Sequence, residues 1–448
     1  MPDPIIITRL SGAEALEKLT RRGAQPEPEL PASIRERNAE IFGRPMTAHE
    51  VVDQVINDVQ SGGDAAVRKY TSLFDKRDLD EIEVPRAEWD ATRERISPAL
   101  RDALEMAAER IRAFHQKQLR QSWFDSGELG IFGQIIRPLE RVGIYTPGGS
   151  AALPSSLLMT AIPARVAGVD EIIIATPPSR DGAIADVILA AAAIANVDRV
   201  FAIGGAQAIA AMAFGTESVP QVDKVCGPGN IFVALAKQRV SGTVAIDQIA
   251  GPTETLVVAD DTADLELVAA DMIAQAEHDP VASAILVTTS QRLADAIPDE
   301  IAKQAAELER EEIIRASLGN NGVIALVDSL DDAIDCANAY APEHLCLLVS
   351  DPWALVPKVR NAGGIFVGES SPEALGDYTA GPSHVMPTSG TARYSSPVNI
   401  MDFQKVISLA AGNTAAIETL GSATMEIARA EGLTGHAKAI ERRLQGEG

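Results

Sequence analysis

The chain has 448 residues, room for about two to four domains, of which 46% are hydrophobic and 23% charged, so disorder over most of its length is excluded. Lys and Arg total 39 against 63 Asp and Glu. The resulting charge of −24 opposes phosphate backbones and anionic lipid, which excludes nucleic acid and membrane surfaces as natural partners.

The opening MPDPIIITRL lacks the basic stretch and long apolar run of a signal peptide, and residues 1–35 read as a Pro-containing acidic arm. Residues 47–118 read as helical. Thr47 and Glu50 form a capping box for a helix expected to stop at Gly62-Gly63, and Ser97 followed by Pro98 starts a second helix. Short β-like runs follow over 130–143. From Gly143 to Gly251 buried strands alternate with helices, the pattern of a parallel sheet covered on both faces. The alternation resumes after GPTET (251–255) with TLVVADD, SAILVTTS, GVIALVDS, HLCLLVS and GIFVGE as strands, and a mainly helical tail begins near residue 396.

The expected fold is therefore α/β, with two Rossmann-like parallel-sheet domains and a small helical C-terminal region. Residues 36–136 and 251–395 form the first α/β domain, 137–250 the second and 396–448 the tail. Cys226, Cys336 and Cys346 match neither a disulfide framework nor a zinc knuckle, and no segment reaches the ~18 apolar residues of a membrane span. A reducing cytoplasm is the expected location.

Three glycine-rich strand-to-helix turns, YTPGGS (145–150), IGGAQA (203–208) and CGPGN (226–230), suit a phosphate or carboxylate, or are simply βα turns. None is GxGxxG, and no acidic residue stands about 20 positions on to take a ribose. Gln275 and His278 lie about 60° apart on one flank of a helix that ends at Asp279-Pro280. Glu343 and His344 adjoin in APEHL, and a carboxylate beside an imidazole could supply two general bases or form an ordinary solvated turn. Asp377 and His384 share one loop, and Glu431 and His436 lie near the C-terminus. His278, His436, Asp377 and Gln275 are chemically sensible N- and O-type zinc ligands, although spacing alone does not bring them together.

These segments closely resemble the histidinol dehydrogenase family. The resemblance is carried by RVGIYTPGGSAALPSSLLMTAIPARVAGV, IGGAQAIAAMAFGTESVPQVDKVCGPGN, IDQIAGPTETLVVAD, DMIAQAEHDP, AYAPEHL, NAGGIFVG, PEALGDYTAGPSHVMPTSGTAR and AEGLTGHA, in order across roughly residues 35–440. It implies oxidation of L-histidinol through L-histidinal to L-histidine, with two NAD⁺ and one zinc ion per subunit. Gln275, His278, Asp377 and His436 match the zinc ligands, and Glu343 and His344 the acid–base pair. Together with Gln275, His278, His344, Asp377 and His436, the residues Thr253, His384 and Glu431 match substrate-contacting positions. Tyr145, Gln207 and Asn230 match NAD contacts. The family forms intertwined homodimers in which the C-terminal segment, with Glu431 and His436, completes the partner's site. Thr253 stands where serine is common, and Ser383 replaces an amide beside His384. Relatives also oxidise other small primary alcohols, including sulfonated propanediols, and such an alcohol is the alternative substrate.

Overall fold

The computed structural model describes residues 5–20, 30–148, 152–178 and 183–445; the tip of the YTPGGS turn lies outside them. Among the described residues two all-parallel sheets carry the architecture. The first runs in spatial order Thr8–Ser11, Val323–Leu326, Ser283–Thr288, Glu254–Ala259, His344–Leu348 and Gly364–Val367. The second runs Arg199–Phe201, Glu171–Ala175, Arg141–Tyr145, Lys224–Cys226 and Ala245–Ile246. Apart from the added edge strand Thr8–Ser11, both wind outward from their first strand in one direction and then in the other. Each therefore has a switch point beside that strand, where α/β sheets leave a crevice.

Unbroken apolar runs form the central strands because helices cover both faces; every residue of Glu254–Ala259 is buried. On the first sheet, Leu265–Ala276 and Gln291–Ala305 pack on one face and Leu330–Tyr340 on the other. On the second, Pro154–Ala167 and Asp186–Ile194 oppose Gly205–Phe214 and Ile231–Val240.

The packing departs from the expected grouping in three places. Residues 36–136 do not join the sheet of 251–395. The Ala48–Asp75 helix lays Val51, Val55, Val59 and Tyr70 into the core of the second sheet, and Pro98–Gln116 covers that sheet's opposite face through Leu104, Ala108 and Ile111. The expected arm at 1–35 supplies Thr8–Ser11, which pairs in parallel with Val323–Leu326. The tail is not helical throughout: Gln404–Gly412 pairs antiparallel with Gly130–Pro138, itself paired with Trp123–Gly127, before the helices Thr414–Ala430 and Thr434–Gln445.

Local signals explain much of the rest. Thr47 and Glu50 form both bonds of the capping box, at 3.2 and 2.8 Å. Gly63 breaks helical geometry at φ 53°, but the helix resumes beyond it and runs to Asp75. Ser97 accepts from the Leu100 N–H at 3.2 Å and starts the helix at Pro98.

Candidate active site

The chemistry-bearing residues collect where the carboxyl edge of the second sheet meets the amino edge of the first. From the second sheet come Tyr145, at a strand end, and Gln207 and Asn230, at the starts of two helices. The first sheet contributes Glu343 and His344, entering the strand beside Glu254–Ala259. The helix Leu330–Tyr340 stops at Ala341, held at φ 54°, and the left-handed turn swings Pro342 and Glu343 into the strand. No side chain fits at Gly363, where a Cβ would lie 2.5 Å from the Glu343 carbonyl oxygen.

Glu343 and His344 are both buried, with Oε2 and Nδ1 3.7 Å apart. Glu343 Oε2 accepts from the Thr253 hydroxyl at 2.6 Å and from the Glu254 N–H at 3.0 Å. Burial pushes its carboxyl up to about 7, against the pull of His344 and these two donors. His344 Nδ1 lies 3.1 Å from the Glu254 carbonyl oxygen, which only accepts, so in the neutral ring Nδ1 carries the proton and Nε2 is the basic nitrogen. That nitrogen is 3.5 Å from Asp377 Oδ1, and the ring stacks on Phe366 with centroids 5.6 Å apart. Burial disfavours the imidazolium, but Glu343, Asp377 and Glu373 outweigh it and draw the His344 pKa up to about 10.

Gln275 is fully buried at the end of Leu265–Ala276. With its amide oriented by the surrounding network, its nitrogen donates to Glu373 at 2.9 Å and its oxygen accepts from the Glu254 N–H at 2.7 Å. Burial lowers the pKa of His278, favouring a neutral ring able to bind a metal, although Asp377 pulls the other way. Asp377, on the short helix Glu373–Tyr378, is itself held low: burial would raise it, but His344, His384 and His278 outweigh that. His384 Nδ1 faces the Asp377 carbonyl at 2.7 Å, leaving Nε2 to meet the Ser156 hydroxyl at 3.1 Å. Ser383 turns away and donates to the Met159 carbonyl at 3.1 Å, filling a structural place.

A cavity of about 800 Å³ opens beside this cluster, lined by His278 and Tyr378 at one end and by Tyr145, Gln207 and Asn230 along its wall. The Tyr145 hydroxyl accepts from the Gly205 N–H at 3.2 Å, and burial pushes its pKa up to about 12. Gln207 is fully buried with both amide atoms lacking a hydrogen-bond partner. Asn230 caps its helix, accepting from Phe232 and Val233 N–H at 3.0 and 3.2 Å.

Two expected residues do not join the cluster: Glu431 and His436 are exposed on the tail, and neither lines the cavity. Among the described residues no three His, Cys, Asp or Glu side chains form a metal-holding group. Sequence reasoning missed Glu373, which is 1% exposed and pushed up to about 8 by burial. Its only sequence signal is a place four residues before Asp377, one helical turn away.

The histidinol dehydrogenase family model matches residues 43–444. The chain belongs to the histidinol dehydrogenase family. It is 50% identical to the histidinol dehydrogenase of Deinococcus radiodurans over 438 residues, covering 97% of this chain and 99% of that one. It is 52% identical to that of Dehalococcoides mccartyi over 396 residues, covering 88% and 91%. The crystal structure of histidinol dehydrogenase from Elizabethkingia anophelis superimposes with a TM-score of 0.90 at 35% identity, covering 98% of both chains. The family is one of oxidoreductases of histidine biosynthesis, and the doubly wound α/β fold agrees with that crystal structure. No described helix is long and apolar enough to cross a membrane.

Proposed function

We propose that the chain oxidises L-histidinol through L-histidinal to L-histidine, using two NAD⁺ per turnover and one zinc ion per subunit. The observation carrying this reading is the buried Glu343–His344 pair, linked by His344 Nε2 to Asp377 Oδ1 at 3.5 Å, beside a cavity whose lining includes the neighbouring Tyr378 and His278 together with Tyr145, Gln207 and Asn230. None of the relatives reported above points to a sulfonated diol.

The donor chemistry fits zinc: an amide oxygen from Gln275, a neutral imidazole from His278 and a carboxylate from Asp377. When bound, zinc would hold and polarise the substrate. The orphaned Gln207 amide, aimed at the cavity wall, fits a polar cofactor, and NAD⁺ would accept the hydride. His344, as the neutral ring with Nδ1 protonated, takes the substrate hydroxyl proton on Nε2 in the first oxidation; Asp377 committed to zinc would no longer favour the imidazolium that the surrounding carboxylates otherwise stabilise. Glu343 takes a proton from the water that attacks the aldehyde, and its two hydrogen-bond donors fix the carboxylate for that task.

His436 and Glu431 act in the partner's site. Their exposure in one chain supports this, as does apolar surface left open on the tail and on the strands paired with it: Trp123, Phe124, Val406, Ile427 and Leu433 are all more than 45% exposed. A second copy covering that surface makes the homodimer, and the tail then delivers the fourth ligand.

The test is stoichiometry. Histidinol should yield two NADH, a chelator should abolish the reaction, and added zinc should restore it. Turnover of a sulfonated diol with none of histidinol would overturn the substrate assignment.

A further inference from the structure

Glu254 opens an interior strand of the first sheet, and the groups assigned to the chemistry gather on its backbone. Its N–H donates to Glu343 Oε2 at 3.0 Å and reaches the Gln275 amide oxygen at 2.7 Å. Its carbonyl oxygen accepts from His344 Nδ1 at 3.1 Å. The ladder to the His344–Leu348 strand begins at Thr255, so the Glu254 N–H lies ahead of the first rung and meets side chains instead. The Glu254 side chain points elsewhere: the residue is 4% exposed, and its Oε1 accepts from the Ser389 N–H at 3.1 Å. Ser389 lies on the segment leading from His384 back to the second sheet, whose core holds Val398 and Ile400. That segment is held against residues 247–254, the outgoing connection between the sheets, at two more points. Gln248 Nε2 donates to the Met386 carbonyl at 2.6 Å, and the Thr388 hydroxyl accepts from the Gly251 N–H at 2.7 Å. Ser389 itself sits at φ 56°, a left-handed backbone that a residue other than glycine keeps only where its surroundings hold it.

We propose that Glu254 is a positioning residue for both oxidations: its carboxyl group, anchored on the Ser389 N–H, fixes the backbone groups from which Glu343, His344 and Gln275 take their places. The inference rests on the reading of Glu343 and His344 as the two bases and of Gln275 as a zinc ligand. The N–H and the carbonyl flank one Cα, so a rotation there displaces all three side chains at once. At the first residue of a strand the sheet restrains the backbone from one direction only, and the buried side chain supplies the other restraint. Its anchor is stiff, because the two connecting segments close directly on each other: no side chain fits at Gly251, where a Cβ would collide with the Ser389 hydroxyl. A displacement of about 1 Å in such positioning groups costs on the order of 10²-fold in rate, and a lost support behind a metal ligand costs about 10–100-fold in metal affinity. Glu254 therefore differs in kind from Glu343, whose loss separates the two oxidations; loss of the Glu254 side chain acts on both through the shared backbone.

The test compares Glu254→Ala with Glu254→Gln, following the two oxidations separately in single turnovers and the release of zinc from the loaded enzyme to a chromogenic chelator. Glu254→Ala should slow histidinol and histidinal oxidation together, each about 10–100-fold, with KM for NAD⁺ unchanged, and should release zinc about tenfold faster. Glu254→Gln, whose amide oxygen can still accept from the Ser389 N–H, should stay within a few-fold of wild type in every measurement. A folded Ala variant with wild-type rates and zinc release, a loss confined to one oxidation, or a Gln variant as impaired as the Ala one would overturn the inference. Should Glu254→Ala fail to fold, Thr388→Val decides: without the acceptor for the Gly251 N–H both oxidations must slow in parallel, and unaltered rates refute the anchored backbone. Wild-type enzyme that leaves histidinol unoxidised would bring down the underlying reading of the pair, and the inference with it.

Discussion

Replacing Glu343 by Gln separates the two oxidations that share this site. The amide oxygen can still accept from Thr253 and from the Glu254 N–H, which now hold the carboxylate at 2.6 and 3.0 Å, so the side chain keeps its place. The backbone contact that fixes His344, from Nδ1 to the Glu254 carbonyl at 3.1 Å, is untouched. Only the water-dependent half loses its base, and a positioned general base is worth ~10²–10⁴-fold. The first half loses just the carboxylate's pull on His344, whose other carboxylate neighbours, Asp377 and Glu373, remain; a cost of no more than about tenfold is expected there. Folding should not suffer. Burial raises the Glu343 pKa to about 7, so its ionised form is the destabilised one, and a neutral amide should leave stability equal or higher at pH 8. The assay supplies histidinol and histidinal separately and follows NADH and histidine in single turnovers. Histidinal oxidised at the wild-type rate, or both halves falling together, would refute the division of labour.

Asp271, raised by burial to about 6 from 3.8, contributes stability present below its unfolded pKa and lost as pH rises through 6. Asp271→Asn should therefore stabilise the fold by about 2–3 kcal/mol at pH 8 and by little at pH 4, read from urea midpoints; a pH-independent effect would count against it. Lys237 and Asp247 form an ion pair whose side chains are each 2% exposed, and Asp247 also accepts from the Gly227 N–H at 2.7 Å. Lys237→Met should cost about 3–5 kcal/mol and raise KM for NAD⁺ by loosening the CGPGN turn; a loss below about 1 kcal/mol contradicts the burial argument. Inactive His436→Asn and His344→Asn enzymes, mixed and allowed to exchange subunits, should recover roughly a quarter of wild-type activity, because half the dimers are hybrids with one of two sites intact. Proven exchange without recovery would place each site within one chain.

The parallel sheets and their turns were legible because β-branched runs and glycines state them locally. The Gly227 turn shows why: at φ +104° a Cβ would lie 2.1 Å from the Tyr145 carbonyl oxygen, so CGPGN can be nothing else. Glu343 and His344 were legible as a pair, being adjacent in the chain. What the sequence withheld was partnership at a distance. The stripe Val51, Val55, Val59 announces a buried helix face but not which sheet it meets. The strand Gln404–Gly412, mostly exposed, lacks a clean alternation and is defined by its partner Gly130–Pro138. Glu373 reads as an ordinary surface acid until the fold buries it.

The two sheets share a winding order but present opposite edges to the site, and helix electrostatics give this a chemical sense. At the carboxyl edge of the second sheet, Gly205–Phe214 and Ile231–Val240 begin, so their N–H ends and partial positive charge face the cavity wall that holds Gln207 and Asn230. That end suits an anionic dinucleotide. At the amino edge of the first sheet the neighbouring helices finish: Leu265–Ala276 carries Gln275 in its last turn, and Leu330–Tyr340 ends just before Glu343. Carbonyl ends and partial negative charge favour a cation there, whether a metal ion or a substrate amine, and they add to the carboxylates of Asp377, Glu343 and Glu373. Turning one sheet end for end against the other thus sets an anion-binding edge opposite a cation-binding one. On the proposed assignment, the alcohol that gives up hydride at the first sheet's edge would face the dinucleotide that accepts it at the second sheet's edge.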